Sequence, residues 1–158
     1  NFSGNIYFLS SIQEGNSSEY GIAKSEANEK YKSYCKKNKN KFLSIKLPNI
    51  FGEYAKPFRT SFIATFCYSL LNDISIQKNR NVVSLCYVKD VISLIAKFKD
   101  VSIEKYITNI SVEEVYNKLN QFNQLQKENK IPKILTKFDL DLYLTFTQYN
   151  NYNLWNYL

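Results

Sequence analysis

Apolar and polar positions alternate along the chain in blocks that change period several times. Asn5-Ile6-Tyr7-Phe8-Leu9 is a short β-rich run, too brief for a helix, that stops at Ser10-Ser11. Its continuous apolar character predicts a parallel strand buried on both faces. A polar turn from Gln13 to Ser18 follows, with Gly15, Asn16 and two serines suited to capping a helix. The pattern then predicts a helix from Glu19 to about Lys37 and a second strand over Phe42–Leu47. Pro48 stops that strand, which opens into Asn49-Ile50-Phe51-Gly52. Strand, helix and strand with short joins form a βαβ unit, so the predicted fold class is α/β with a parallel sheet.

Beyond Pro57 the period becomes helical over roughly Thr60–Asn72. Short strands are predicted near Ile74–Gln77 and over Val82–Tyr87, and Asp90 is read as the cap of a helix running to about Phe98. Lys105–Ile110 is strand-like. Ser111-Val112-Glu113-Glu114 carries the capping-box spacing, which opens a helix to about Phe122. Gln124–Lys133 reads as polar linker, Leu135–Tyr149 as a last helix, and the Asn/Tyr-rich end, with Trp155, is weakly specified.

Composition narrows the chemistry. The 158 residues contain no histidine, which excludes a Ser-His-Asp or Cys-His site and histidine-ligated zinc within this sequence. Methionine is absent too, even at position 1, and the chain opens inside ordinary folded sequence, so it reads as a piece of something longer. Cys35, Cys67 and Cys86 are widely spaced with no Cys-x-x-Cys, the pattern of reduced thiols in a cytoplasmic protein. The longest nearly apolar stretch, Ser61–Leu71, falls well short of the roughly 20 residues that cross a bilayer. Net charge is +7, yet the only arginines are Arg59 and Arg80. A dedicated nucleic-acid binder would use more arginine, and the run Lys36-Lys37-Asn38-Lys39-Asn40-Lys41 suits the negative end of a helix dipole.

The candidate chemistry lies in Ser11, Tyr20 and Lys24. Tyr20 and Lys24 are four apart on one helix and share a face. An ammonium held there favours the phenolate, lowering a tyrosine pKa from about 10 towards the range where it passes protons. A serine at the tip of the neighbouring strand can hydrogen-bond the same substrate oxygen. Tyr-x-x-x-Lys alone is a weak signal, and an exposed helix face without chemistry is the alternative reading. Its context carries the weight: a strand ending in Ser-Ser, a short loop, Tyr20-Gly21-Ile22-Ala23-Lys24, then a strand ending in Leu47-Pro48-Asn49-Ile50-Phe51-Gly52.

That ordered set resembles the second half of the extended short-chain dehydrogenase/reductases of the NAD-dependent epimerase/dehydratase type. Tyr87-Val88-Lys89-Asp90-Val91 is similar to their Tyr-Val-Asp-Asp-Val segment. Ser10-Ser11-Ile12-Gln13 and Ala64-Thr65-Phe66-Cys67-Tyr68 resemble the capsular-polysaccharide reductases of UDP-4-keto sugars in particular. The resemblance implies an incomplete Rossmann-like sheet over 1–47, with a small α+β substrate-binding lobe over 48–158 from which 82–98 returns to the Rossmann domain. It implies Ser11, Tyr20 and Lys24 as catalytic residues. Tyr20, Lys24, Pro48, Asn49 and Ile50 would lie against NADP(H) or NAD(H). Ser11, Asn49, Arg59 and Arg80 would meet the UDP-sugar, within a pocket lined by residues 49 to about 73. A homodimer through the Tyr20 helix is implied as well, with neither nucleic acid nor membrane as partner.

The family's G-x-x-G-x-x-G fingerprint is absent, so most of the cofactor would be bound by sequence outside this chain, and the isolated chain would be inactive. Lys46 stands where arginine is common, Lys89 replaces an aspartate, and no metal ligands or cupin-like zinc domain are present. Three local alternatives stay open: Asn49 as a turn residue, Asp90 as only a cap, and Arg80 with no phosphate role. Two global ones do too: a non-catalytic or degenerate sugar-nucleotide-binding remnant, and a basic nucleic-acid-binding module.

Overall fold

The computed structural model describes residues 4–96 and 102–151. Five strands and five α-helices follow in the order β1 (Ile6–Ser11), α1 (Glu19–Lys37), β2 (Phe42–Leu47), β3 (Asn49–Phe51), α2 (Phe62–Leu71), β4 (Val82–Tyr87), α3 (Val88–Ala96), β5 (Thr108–Ser111), α4 (Val112–Lys127) and α5 (Lys137–Asn151), with a 3-10 turn at Glu104–Tyr106. The fold class is α/β, as expected, with small sheets. Backbone contacts divide the chain into two compact units, one of residues 1–48 and 91–105, the other of residues 49–90 and 106–158.

The first unit is the βαβ motif. β1 and β2 pair in parallel from Ile6↔Phe42 to Ser11↔Leu47. Ser18 caps α1, its hydroxyl accepting from the Gly21 amide at 3.0 Å, with Glu19 in the positive first turn and Lys36 and Lys37 in the negative last one. Helix and second strand begin and end where the pattern predicted. The first strand differs, because the two serines belong to it and it is not buried on both faces. Ser10 is buried, whereas Leu9 is 39% exposed. Among the described residues its ladder partner is β2 alone, and a strand face is buried only where another layer covers it.

The second unit holds a three-stranded sheet of order β3-β4-β5, parallel between β3 and β4 and antiparallel between β4 and β5. The segment after Pro48, read from sequence as an opening, forms the short edge strand β3. Phe51, Leu85, Phe66, Leu119, Leu142 and Phe146 belong to one buried cluster built with α2, α4 and α5. Phe122 joins the helices through Tyr143 (ring centroids 5.3 Å apart) and Phe146 (6.2 Å), and the Asn123 amide donates to the Leu70 carbonyl at 3.1 Å. The Ser111 capping box is complete, with Ser111 Oγ accepting from the Glu114 amide at 3.1 Å and Glu114 Oε2 from the Ser111 amide at 3.1 Å. Thr136 and Asp139 make the same reciprocal pair at the start of α5.

Several boundaries move. Ile74–Gln77 is irregular rather than a strand: Asp73 takes a left-handed φ of 52° and the Ile74 amide returns to the Ser69 carbonyl, so the chain leaves α2 in a tight turn with no ladder to join. Asp90 is not a cap. β4 runs straight into α3, so Asp90 sits inside the first turn, where its carboxylate pairs with Lys137 at 2.6 Å. Lys105–Ile110 splits between the 3-10 turn and β5. α4 continues through Gln124–Lys127 until Asn129 adopts a left-handed φ of 55°, because polar residues on an exposed helix face carry no strand or loop signal of their own. α5 starts at Lys137 rather than Leu135. The expected end of α3 near Phe98, and Trp155, lie outside the described residues.

All three cysteines are free and buried; burial raises the Cys67 thiol, and burial with Asp90 nearby raises that of Cys86 to about 11. One ionic cluster ties the segment after β3 to the junction of β4 and α3. Glu53 accepts from Tyr87 Oη at 2.8 and 2.9 Å and from Lys89 Nζ at 2.7 Å. Burial pushes the Glu53 carboxyl up, but the hydrogen bonds from Lys89, the backbone and Tyr87 outweigh it and hold the group below its ordinary 4.5. The stability from this pairing is therefore present above pH 4.5 and lost as pH falls through the lowered folded value. Glu53→Gln should flatten the acid limb of unfolding free energy against pH, measured by urea titration at stepped pH.

Candidate active site

The loop between β1 and α1 shapes the first unit's functional end. It leaves β1 in a turn, the Glu14 amide donating to the Ser11 carbonyl at 2.9 Å and the Gln13 amide to Ser11 Oγ at 3.2 Å. It then lies against the first turn of α1. A Cβ built on Gly21 would meet Asn16 Oδ1 at 2.0 Å and the Gln13 carbonyl oxygen at 2.5 Å. The glycine after Tyr20 is thus required by close approach of backbone, not by a turn. Asn16 Oδ1 in turn accepts from the Ser18 amide at 3.1 Å and its hydroxyl at 2.6 Å, locking the loop to the helix cap.

This packing sets Lys24 beside Tyr20 and against β1; Ser11, at the end of β1, is bonded to the loop through Gln13 and Glu14. Lys24 Nζ lies 5.7 Å from the centroid of the Tyr20 ring and 5.3 Å from that of Phe8, and it donates to the Leu9 carbonyl at 3.0 Å. Leu9 is two residues before Ser11 on β1, so the amine ties the helix to that strand. The Tyr20 ring is 52% exposed rather than sunk in hydrocarbon.

A carboxylate that the sequence did not single out underpins this end. Glu14 accepts from Ser10 Oγ and from Asn28 Nδ2 at 2.8 Å, and pairs with Lys46 Nζ at 3.6 Å. Its side chain is only 9% exposed although it sits in a polar loop. Burial alone would raise its carboxyl, but Ser10, Asn28 and Lys46 hold it below the ordinary value. A lone glutamate among polar loop residues carries no periodic signal, so only the fold marks it.

The other expected residues are distributed differently. Pro48 is buried in the first unit. In the second, Asn49 opens β3 rather than forming a turn, and its amide donates to the Ser84 carbonyl at 3.2 Å. Ile50 pairs with Cys86 in the sheet. Arg59 is exposed in the turns before α2, and Arg80 is engaged with Glu113 at 3.0 Å. Neither Arg59 nor Arg80 is tied to the trio by a described hydrogen bond or ion pair.

A parallel βαβ unit followed by a mixed three-stranded sheet is an α/β arrangement, and the family follows from sequence likeness. The model of the NAD dependent epimerase/dehydratase family matches residues 7–118, and the chain belongs to that family. Within it, the UDP-2-acetamido-2,6-beta-L-arabino-hexul-4-ose reductase of Pseudomonas aeruginosa is 28% identical over 153 residues, covering 91% of this chain and 41% of that protein. The crystal structure of capsular polysaccharide assembling protein CapF from Staphylococcus aureus aligns with a TM-score of 0.84 at 30% identity, over 92% of this chain and 43% of that one. The UDP-glucose 4-epimerase of Thermotoga maritima, crystallised with UDP-glucose, shares the fold at TM-score 0.70 and 15% identity, over 92% of this chain and 63% of that one. The chain spans about two fifths of the length of the first two relatives.

Gly21→Ala should force the Gln13–Asn16 loop off the helix, since its nearest backbone obstacle cannot rotate away. We expect a loss of about 1–3 kcal/mol, the usual result of overpacking, read from urea unfolding.

Proposed function

We propose that this chain is the Tyr/Lys-bearing part of an NAD(P)-dependent sugar-nucleotide reductase or epimerase acting on a UDP-4-keto-6-deoxy-N-acetylhexosamine in capsular or surface polysaccharide synthesis. The observation that carries the reading is the Lys24 ammonium held between the ring of the exposed Tyr20 and the Leu9 carbonyl of β1, two residues before Ser11. Family membership and the likeness to a UDP-sugar 4-reductase support it.

The donor set suits the nicotinamide end of the cofactor. An ammonium has three N–H donors, of which the Leu9 carbonyl takes one, and the phenol beside it is open to solvent. The pyrophosphate end is different. The sequence has four glycines and no glycine-rich fingerprint, and the space beside Gly21 and Gly52 is filled by Asn16, Gln13 and Val88 of this chain. When bound, the nicotinamide supplies or accepts hydride at the sugar carbon.

In this reading Tyr20 Oη gives a proton to, or takes it from, the sugar C4 oxygen. The positive charge of Lys24 stabilises the negative charge left on the phenol oxygen, and its remaining donors can grip a ribose hydroxyl. Ser11 Oγ orients the same C4 oxygen. Pro48, Asn49 and Ile50 are assigned to the cofactor side, and Asn49, Arg59 and Arg80 to the sugar nucleotide, by family resemblance. A second copy docking on α1, where Ile22, Tyr31 and Tyr34 are exposed, would make the homodimer.

In the full-length protein, Tyr20→Phe should lower kcat for NADPH-dependent reduction of the UDP-4-keto sugar by about 10²–10⁴-fold, the usual range for a lost general acid. Unchanged circular dichroism would show that folding is intact, and near-normal turnover would remove Tyr20 from the chemistry. The isolated chain is expected to consume no NADPH.

A further inference from the structure

We propose that Glu14 is a positioning residue that sets the Ser11 strand tip at its working distance from the Tyr20–Lys24 helix. The proposal rests on the function proposed above and adds a residue to it. Glu14 has no route to the C4 oxygen of its own; it acts through Ser11.

The geometry is that of a three-way clamp. Glu14 sits in the loop that joins β1 to α1, and its carboxylate collects one partner from each surrounding element: Ser10 from β1, Asn28 from α1 and Lys46 from β2. Ser10 is itself buried and directly precedes Ser11. Asn28 lies one helical turn beyond Lys24 on the same face, so the clamp and the amine read the same side of α1. The Glu14 amide also closes the turn onto the Ser11 carbonyl. One side chain therefore fixes the strand tip, the loop and the helix face relative to one another, inside a unit whose two strands alone leave Leu9 and Tyr20 open to solvent.

The pairs are not equal. Lys46 is 56% exposed and 3.6 Å away, so it contributes little on its own. The hydrogen bonds from Ser10 and Asn28 reach a carboxylate largely shielded from water, where charge-assisted bonds are stronger than neutral ones. Glu14→Gln keeps the shape but removes the negative charge that the Ser10, Asn28 and Lys46 donors share, so the clamp loosens without a cavity.

The test is a double-mutant cycle in the full-length protein, with NADPH and the UDP-4-keto sugar. Glu14→Gln should lower kcat at least tenfold, within the about hundredfold cost of a 1 Å misplacement, and change KM by less than about twofold. In a Ser11→Ala background the same substitution should change kcat by less than about twofold, because there is no hydroxyl left to misplace. Asn28→Ala, which keeps the charge and its Lys46 partner, should follow the same pattern. Amide hydrogen exchange over Gln13–Asn16 should quicken in both variants while the middle of α1 keeps its protection. Equal losses in the two backgrounds, or unchanged kcat with unchanged exchange, would overturn the role of Glu14. Normal turnover by Ser11→Ala and Tyr20→Phe would instead overturn the proposed function, whatever Glu14 does.

Discussion

The site depends on one close approach. Because Gly21 carries no Cβ, the backbone of Gln13 and the side chain of Asn16 can lie directly on the first turn of α1. That contact shortens the route from strand to helix, so that Lys24, one turn along, reaches back to the Leu9 carbonyl while staying beside the Tyr20 ring. A larger residue there would lift the loop, and with it Ser11, away from the helix. Tyr-Gly-x-x-Lys is thus a packing motif: the glycine makes room, and Lys24 and Tyr20 lie side by side in the space it leaves.

Electrostatics are arranged locally rather than as a field. Several lysines stand in exposed pairs, Lys30 with Glu26 and Lys32 with Glu29 along α1 and Lys127 with Asp73 elsewhere. Exposed pairs of this kind contribute little each. Shielded carboxylates matter more, and Glu14 in the first unit and Glu53 in the second are two of them. Each gathers donors from several elements, and each is held ionised against the cost of burial. Lys137 plays the converse part, an amine set between Asp90 and Asp141 at 2.6 Å from each. Lys89, where the resembled motif has an aspartate, keeps its charge bonded to Glu53.

The second unit supplies the larger apolar cluster. Its three-stranded sheet is covered by α2, α4 and α5, whose aromatic side chains meet edge-on, as in the perpendicular Phe66–Tyr116 pair and the Phe62–Phe66 pair at 80°. Reciprocal caps at Ser111 and Thr136 start the two C-terminal helices, satisfying amides that would otherwise lack partners. Two residues that resemblance assigned to ligands also serve the sheet: the Asn49 side-chain amide donates to the Ser84 carbonyl, and Ile50 sits in the ladder with Cys86.

Sequence alone determined the features that depend on neighbours a few residues apart. Helix α1, strand β2, strand β4 and the Ser111 capping box follow from apolar period and cap chemistry, which are local, and Tyr20 and Lys24 share a face by helical geometry. The family resemblance was legible because it lies in an ordered series of short motifs. Tertiary structure decided whatever needed a distant partner. Ile74–Gln77 had strand-like residues but no ladder to enter, Asp90 became an ion-pair partner of Lys137 instead of a cap, and Glu14 emerged from a polar loop as a shielded hub. A strand, an ion pair or a buried carboxylate exists only when chain remote in sequence arrives to complete it, and no window of local pattern contains that information.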